Sequence, residues 1–195
     1  MSASLSTNVM GKIVGKHLKE DRLFFAVVPD ADTAARICRL ALLLKRVRKF
    51  EGKLIPPDRL HASLFFLCGG QGLPERIVRR ASKAAAEVRV PPFVISFDRT
   101  SSFGSQPGNH PFVLLGDDGL SGLRSFRQAL GAAMTRNGLR RLVNTNFTPH
   151  VTLLYDPRSV EEHPIEPISW TVSEFVLIHS MRGHAHLARW PLHIR

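Results

Sequence analysis

The sequence predicts an α+β fold built as two pseudo-equivalent lobes, and three observations carry that prediction. Apolar runs of strand length alternate with amphipathic helical segments, but without the strict strand–helix rhythm of a doubly wound parallel sheet. "RLHASLFF" (59–66) and "TPHVTLLY" (148–155) repeat one pattern inside apolar sequence: a histidine, a hydroxyl residue two positions on, then a leucine. Each half of the chain also sets a helix ahead of its copy of that pattern.

Taken in order, "RLFFAVVP" (22–29) is a continuous apolar run ended by proline, as suits a strand buried on both faces. Asp30 and Asp32 are N-cap candidates for a helix whose inward stripe is Ile37, Leu40, Ala41, Leu44 and Val47. Its opposite face carries Arg36, Arg39, Lys45, Arg46 and Lys49. "IPPD" breaks the chain before the first motif strand, 60–67. A second helix is expected over Glu75–Val88, then a strand at 92–98, a turn-rich loop "SSFGSQPGNH" and a strand at 111–115. Leu123, Phe126, Leu130 and Met134 mark a third helix, stopped by "NG" at 137–138. The second motif strand, 149–155, leads into a Pro-rich acidic loop, "DPRSVEEHPIEP". "SWTVSEFVLIHSM" and "HLARWPLHI" finish the chain as two strands joined by the turn "RGHA".

The chain has 195 residues, 44% of them hydrophobic and 22% charged, which is enough to bury one core. Lys and Arg outnumber Asp and Glu by 27 to 16, a formal charge of +11. That excess points to a polyanionic partner and by itself leaves RNA, DNA and an acidic membrane surface open. No run approaches the ~20 apolar residues of a membrane span, so no membrane partner is expected. Cys38 and Cys68 lack paired zinc spacing and read as reduced core thiols. Residues 1–20 contain no uninterrupted apolar stretch and read as a flexible extension, leaving 21–195 as one bilobal domain of a cytoplasmic protein.

Side chains alternate along a strand, so His61 and Ser63 share one face, as do His150 and Thr152, with leucines behind them. If the two strands sit together about a pseudo-two-fold axis, two imidazoles and two hydroxyls converge on one point. Imidazole titrates near pH ~6.5, so one ring can accept a proton while its partner donates one. Hydroxyls can hold phosphate oxygens as charge moves in the transition state. Neither motif contains a carboxylate, so a metal site is not expected, nor any cofactor. His184 and His186, in the turn beside Arg182, read as a solvated or RNA-facing turn, and His179 as a satisfied sheet histidine. His110 is a candidate for the groove wall. Phe103 reads as a loop anchor and Phe24 as a core residue that could stack on a base.

"LHASLFFL" and "PHVTLLY" resemble the two His-x-Thr/Ser motifs of the two-histidine (2H) phosphoesterase superfamily. Within it the chain is similar to the RNA 2′,3′-cyclic phosphodiesterases historically called 2′-5′ RNA ligases. "RLFFAVVPD" is similar to that family's opening strand, and "WTVSEFVLIHS" with "LARWPL" to its closing hairpin. The resemblance implies the bilobal LigT-like fold, with two pseudo-symmetric antiparallel-sheet lobes and outer helices around a central, positively lined groove. It implies metal-independent hydrolysis of RNA or nucleotide 2′,3′-cyclic phosphate ends to 2′-phosphates. His61 would then be the general acid, His150 the general base, and Ser63 and Thr152 the phosphate ligands. Tyr155, Arg22, Arg182, Phe24 and Arg189 are further candidates for substrate binding, the partner being RNA or a small nucleotide and the protein a monomer. Ser63 stands where the family usually has Thr. Tyr155 stands where it typically carries Arg, at an odd spacing from Thr152 that an unbroken strand would turn away from the site. Two rival readings are 2′-5′ ligation or cleavage of another phosphodiester by the same pair, and, in a different class, a non-catalytic RNA-binding module.

Overall fold

The computed structural model describes residues 21–70, 72–104, 108–181 and 183–193. Residues 1–20, read above as an extension, and the candidate Arg182 lie outside them. The fold class is as expected: α+β, with two four-stranded antiparallel sheets and helices. The strands are β1 (Asp21–Val27), β2 (Ala62–Gly70), β3 (Phe93–Ser102), β4 (His110–Leu115), β5 (Val151–Asp156), β6 (His163–Val172), β7 (Glu174–Ser180) and β8 (His184–Pro191). One sheet has strand order β2-β1-β7-β8 and the other β5-β4-β3-β6. The helices are α1 (Ala31–Arg48), α2 (Glu75–Ala86) and α3 (Ser121–Arg136).

The predicted internal echo is visible as two equivalent units. β1, α1, a 3₁₀ turn at Pro57–Arg59 and β2 form one; β4, α3, a 3₁₀ turn at Arg140–Leu142 and β5 form the other. In both units the motif strand, β2 or β5, ends up at the edge of its sheet. Both helices reach across to the other unit's sheet, α3 while also packing on β3 of its own. α1 packs on β5 and β6, with Phe50 just beyond it against Phe112 of β4. α3 sets Phe126 against Phe175 of β7 and Arg127 over Phe65 of β2. The exchange fuses the two units into one continuous apolar core that includes Phe25, Phe65, Phe97, Phe112, Phe126 and Phe175.

Three expectations need correction. The stretch 169–181 is not one strand. It breaks at Ser173, where the chain passes from one sheet to the other and the Ser173 carbonyl accepts a hydrogen bond from Leu192 N at 2.7 Å. β6 also starts at His163, inside the segment read as a loop. Pro164 and Pro167 misled the reading because proline interrupts central strands, but β6 is an edge strand, where a missing N–H does no harm. Likewise β8 starts at His184 rather than after it, so His184 belongs to a strand and not to a turn.

The approach to each histidine is anchored on the opposite unit. α1 ends on Lys49 in the left-handed conformation (φ 56°), and the chain then runs along the free edge of β5. There Glu51 N and Gly52 N donate to the buried Asp156 carboxylate at 2.6 and 2.8 Å, and Ile55 N donates to Leu153 O at 2.8 Å. A side chain at Gly52 would collide with the Tyr155 carbonyl, 1.8 Å from where its Cβ would stand. On the other side, Arg127 of α3 donates from Nε to Leu64 O of β2 at 2.9 Å and from Nη2 to Asn144 O, on the way to His150, at 2.9 Å. Its guanidinium lies between the rings of Phe65 and Phe147, 4.1 and 4.3 Å from their centroids. Arg127→Ala would strip a buried carbonyl of its donor and empty that sandwich, so a loss of about 2–4 kcal/mol in urea unfolding is expected. A loss below about 0.5 kcal/mol would show that the contact does not hold α3 to β2.

Candidate active site

The two motif strands share one irregularity, and β2 has a second at Leu67. β2 pairs Phe65 with Phe25 and Ser63 with Ala26, so Leu64 is an extra residue in the ladder. β5 pairs Leu154 with Phe112 and Thr152 with Val113, so Leu153 is its counterpart. An extra residue shifts the alternation of side chains by one. Leu64 and Phe65 are both buried, as are Leu153 and Leu154, and the residues that follow, Phe66 and Tyr155, come back to the face of Ser63 and Thr152. The bulge resolves the odd spacing of Tyr155. It also leaves the carbonyls of Leu64 and Leu153 to other donors, and these are the groups bound by Arg127 and Ile55 N.

His61 and His150 sit one residue ahead of β2 and β5. Each is held the same way: Nδ1–H of His61 donates to Arg59 O at 2.8 Å, and Nδ1–H of His150 donates to Thr148 O at 2.8 Å. A carbonyl can only accept, so the proton of each neutral ring is on Nδ1 and the Nε2 lone pair is free. Both rings line one cavity of about 250 Å³ together with Ser63, Thr152, Tyr155, Phe66, Arg22, Arg59, Phe24, Ile55, Ser180 and His184. The lining contains two guanidinium groups and, among the described residues, no carboxylate. Phe66 (53% exposed) and Tyr155 (46% exposed) form its rim. Phe24 is buried below, 5.0 Å from the His61 ring, where its partners Ala26, Val176 and Ile178 make a small apolar floor.

Burial lowers the pKa of both histidines. For His61 desolvation is the largest cause, opposed by the bond to Arg59 O and reinforced by His150 and the Arg59 charge. For His150 desolvation again outweighs the bond to Thr148 O. Both rings therefore favour the neutral form near pH 7.

Of the sequence candidates, His61, His150, Ser63, Thr152, Tyr155, Arg22 and Phe24 meet here. Arg189 does not. It pairs with Glu174 at the edge of a separate hollow of about 420 Å³ that also takes in Asp30, Asp58 and His186. His110 is not in the cavity lining and holds Phe103 O at 3.2 Å. Phe103 instead meets the His150 ring edge-on, centroids 5.0 Å apart. His179 lies against Asp21 at 3.4 Å. Sequence reading missed Arg59, Phe66 and Ser180, and put His184 in a solvated or RNA-facing turn rather than in this cavity. Phe66 could have been found, because it stands three positions after Ser63, as Tyr155 does after Thr152. Arg59 and Ser180 carry no local signal.

Two antiparallel sheets presenting paired His-x-Ser/Thr motifs from facing edge strands define a 2H phosphoesterase. The chain belongs to the 2′-5′ RNA ligase superfamily, whose sequence model matches residues 29–184. Among solved structures it is similar to a crystal structure described as a phosphoesterase (25% identity over 88% of this chain and 98% of that one, TM-score 0.67). It is also similar to Escherichia coli LigT in apo form (27% identity, 89% and 98% covered, TM-score 0.66) and complexed with 3′-AMP (26% identity, 89% and 98% covered, TM-score 0.66). No curated protein sequence matches the chain, and no helix among the described residues is long and apolar enough to cross a membrane.

In an NMR titration of the free protein, the His61 and His150 ring protons should show midpoints below the ordinary ~6.5. Saturating inorganic phosphate should move both midpoints upward, because an anion in the cavity favours imidazolium. A midpoint above about 7 in the free protein would contradict the desolvated environment described here.

Proposed function

We propose that the protein is a metal-independent phosphodiesterase that opens 2′,3′-cyclic phosphate ends of RNA or small nucleotides and leaves a 2′-phosphate. The observation that carries the reading is the pair of identically tethered imidazoles aimed into a cavity rich in cationic and hydroxyl groups. A cavity with this lining suits an anion, and two opposed Nε2 atoms suit a proton taken on one side and given on the other.

In this mechanism His150 accepts a proton from water through Nε2 as the water oxygen bonds to phosphorus. His61, protonated at Nε2, gives that proton to O3′ as the P–O3′ bond breaks. Which histidine plays which part follows the family, because the local geometry is symmetric. A phosphodiester anion raises the pKa of a nearby imidazole, so substrate binding itself helps to load the acid in a site where both rings otherwise rest neutral. Ser63 and Thr152 offer short neutral donors to the non-bridging oxygens, one from each motif, and Arg22 and Arg59 supply the positive field. At about 250 Å³ the cavity is smaller than the ~300–1,000 Å³ typical of sites that enclose a whole drug-sized ligand. The phosphate and its ribose would fill it and leave the base on the rim against Tyr155 or Phe66. Tyr155 thus replaces the family's cation with a stacking surface. E. coli LigT, solved with 3′-AMP, supports a nucleotide ligand.

Purified protein treated with EDTA should hydrolyse nucleoside 2′,3′-cyclic phosphates to 2′-phosphates. His61→Ala or His150→Ala should lower kcat at least ~10²-fold each while leaving the melting temperature unchanged. Wild-type rates in either variant would refute the pairing, a strict need for divalent metal would refute the mechanism, and RNA binding without turnover would make the protein a binding module.

Tyr155→Ala should weaken KM for adenosine 2′,3′-cyclic phosphate by about tenfold through lost stacking, with little change in kcat. A purely kcat effect would place Tyr155 at the reacting phosphate instead.

A further inference from the structure

A third imidazole belongs to this cavity. His184 opens β8 opposite Ser180 of β7, and both residues line the cavity. Its ring meets His61 edge-on with centroids 4.9 Å apart and meets Phe24 edge-on at 5.7 Å. His184 therefore stands directly beside one motif histidine. Among the described residues the His150 side has no equivalent: its edge-on neighbour is Phe103, whose side chain has no polar atom to offer. The pseudo-two-fold symmetry of the site is broken at this point by one nitrogen-bearing ring.

The state of that ring is constrained. Nδ1 is sealed from solvent and has no hydrogen-bond partner among the described residues. A sealed N–H without an acceptor is costlier than a sealed lone pair of a weak acceptor, so the ring proton is placed on Nε2. Nε2 is the nitrogen left to face the cavity. Desolvation, reinforced by the neighbouring His61, lowers the His184 pKa to about 4, so the ring is neutral across the physiological range. It cannot exchange protons usefully with substrate near pH 7, but it offers one fixed N–H donor beside His61. The hydroxyls of Ser63 and Thr152 provide the other two donors of this kind, one per motif.

We infer that His184 is a third phosphate ligand of the site, donating from Nε2–H to a non-bridging oxygen on the His61 side. This inference rests on the phosphodiester reading above. It adds that the site is polar along its pseudo-symmetry axis: a substrate phosphate finds an extra donor on one side and a phenyl edge on the other. The orientation of the anion between the two otherwise equivalent histidines is then set by a residue outside both motifs.

The test compares His184→Phe, which keeps an aromatic ring against His61 and Phe24, with His184→Gln, whose amide nitrogen reproduces Nε2–H. Inorganic phosphate binding is read from the shift of the His61 and His150 ring protons, and turnover from the cyclic nucleotide assay. His184→Phe should bind phosphate about tenfold more weakly and show a matching rise in KM. His184→Gln should restore both values to within about threefold of wild type. Equal phosphate affinity in wild type and His184→Phe would overturn the inference, as would a Gln variant as weak as the Phe variant, since His184 would then act only by packing. Absence of phosphate binding by the wild-type protein would overturn it as well. If phosphate binds and depends on His184 but no cyclic phosphate is turned over, the proposed reaction falls and the anion ligand stands.

Discussion

Everything at the site depends on how the two motif strands are stitched to one another. Each strand carries a surplus leucine next to its hydroxyl residue, Leu64 or Leu153, whose carbonyl is bound from outside its own ladder. Each of those carbonyls is bound by a donor from the opposite unit: Arg127 of α3 for the first, the amide of Ile55 on the approach to His61 for the second. A buried carbonyl without a partner is expensive, so these two bonds hold the strands at one separation and one register. The same pair of irregularities turns Phe66 and Tyr155 toward the cavity. A regular strand would have buried them or pointed them to the far side.

The imidazoles are the second level of the same arrangement. Both are bound by a backbone carbonyl two residues upstream, which fixes tautomer and orientation without spending any other side chain. A carboxylate in that role would have raised the histidine pKa values and brought negative charge beside an anion site. A neutral carbonyl does neither, so burial prevails and lowers the pKa of both rings. The cavity wall agrees with this logic, since the fixed charges there are Arg22 and Arg59.

The interior reflects duplication with exchanged helices. α1 packs on the sheet of the second unit, and α3, which packs on β3 of its own sheet, also reaches Phe65 and Phe175 of the first, so the two units share one apolar core. Asp156 adds a polar clasp to this exchange. Burial works to raise its pKa, but the N–H groups of Gly52, Arg158 and Glu51 and the Arg158 charge outweigh burial and hold it below the ordinary carboxylate value. Its contribution to stability is thus full above pH ~4 and fades as pH falls through the depressed folded value. The clasp loosens only in acid.

The sequence by itself determined the class of fold, the two motifs and the face on which each histidine and hydroxyl would appear. Those are consequences of period-two alternation and of burial, which act locally and leave a trace in the order of residues. It also exposed Tyr155 as anomalous, because an odd spacing conflicts with a regular strand. Only the tertiary structure decided that a bulge resolves the conflict, that β6 extends through two prolines because it is an edge, and that Arg189 serves a different hollow. Only it brought Arg59, Ser180 and His184 to the imidazoles. Which distant strands lie side by side is a property of packing, and packing leaves no periodic mark on the residues that happen to meet.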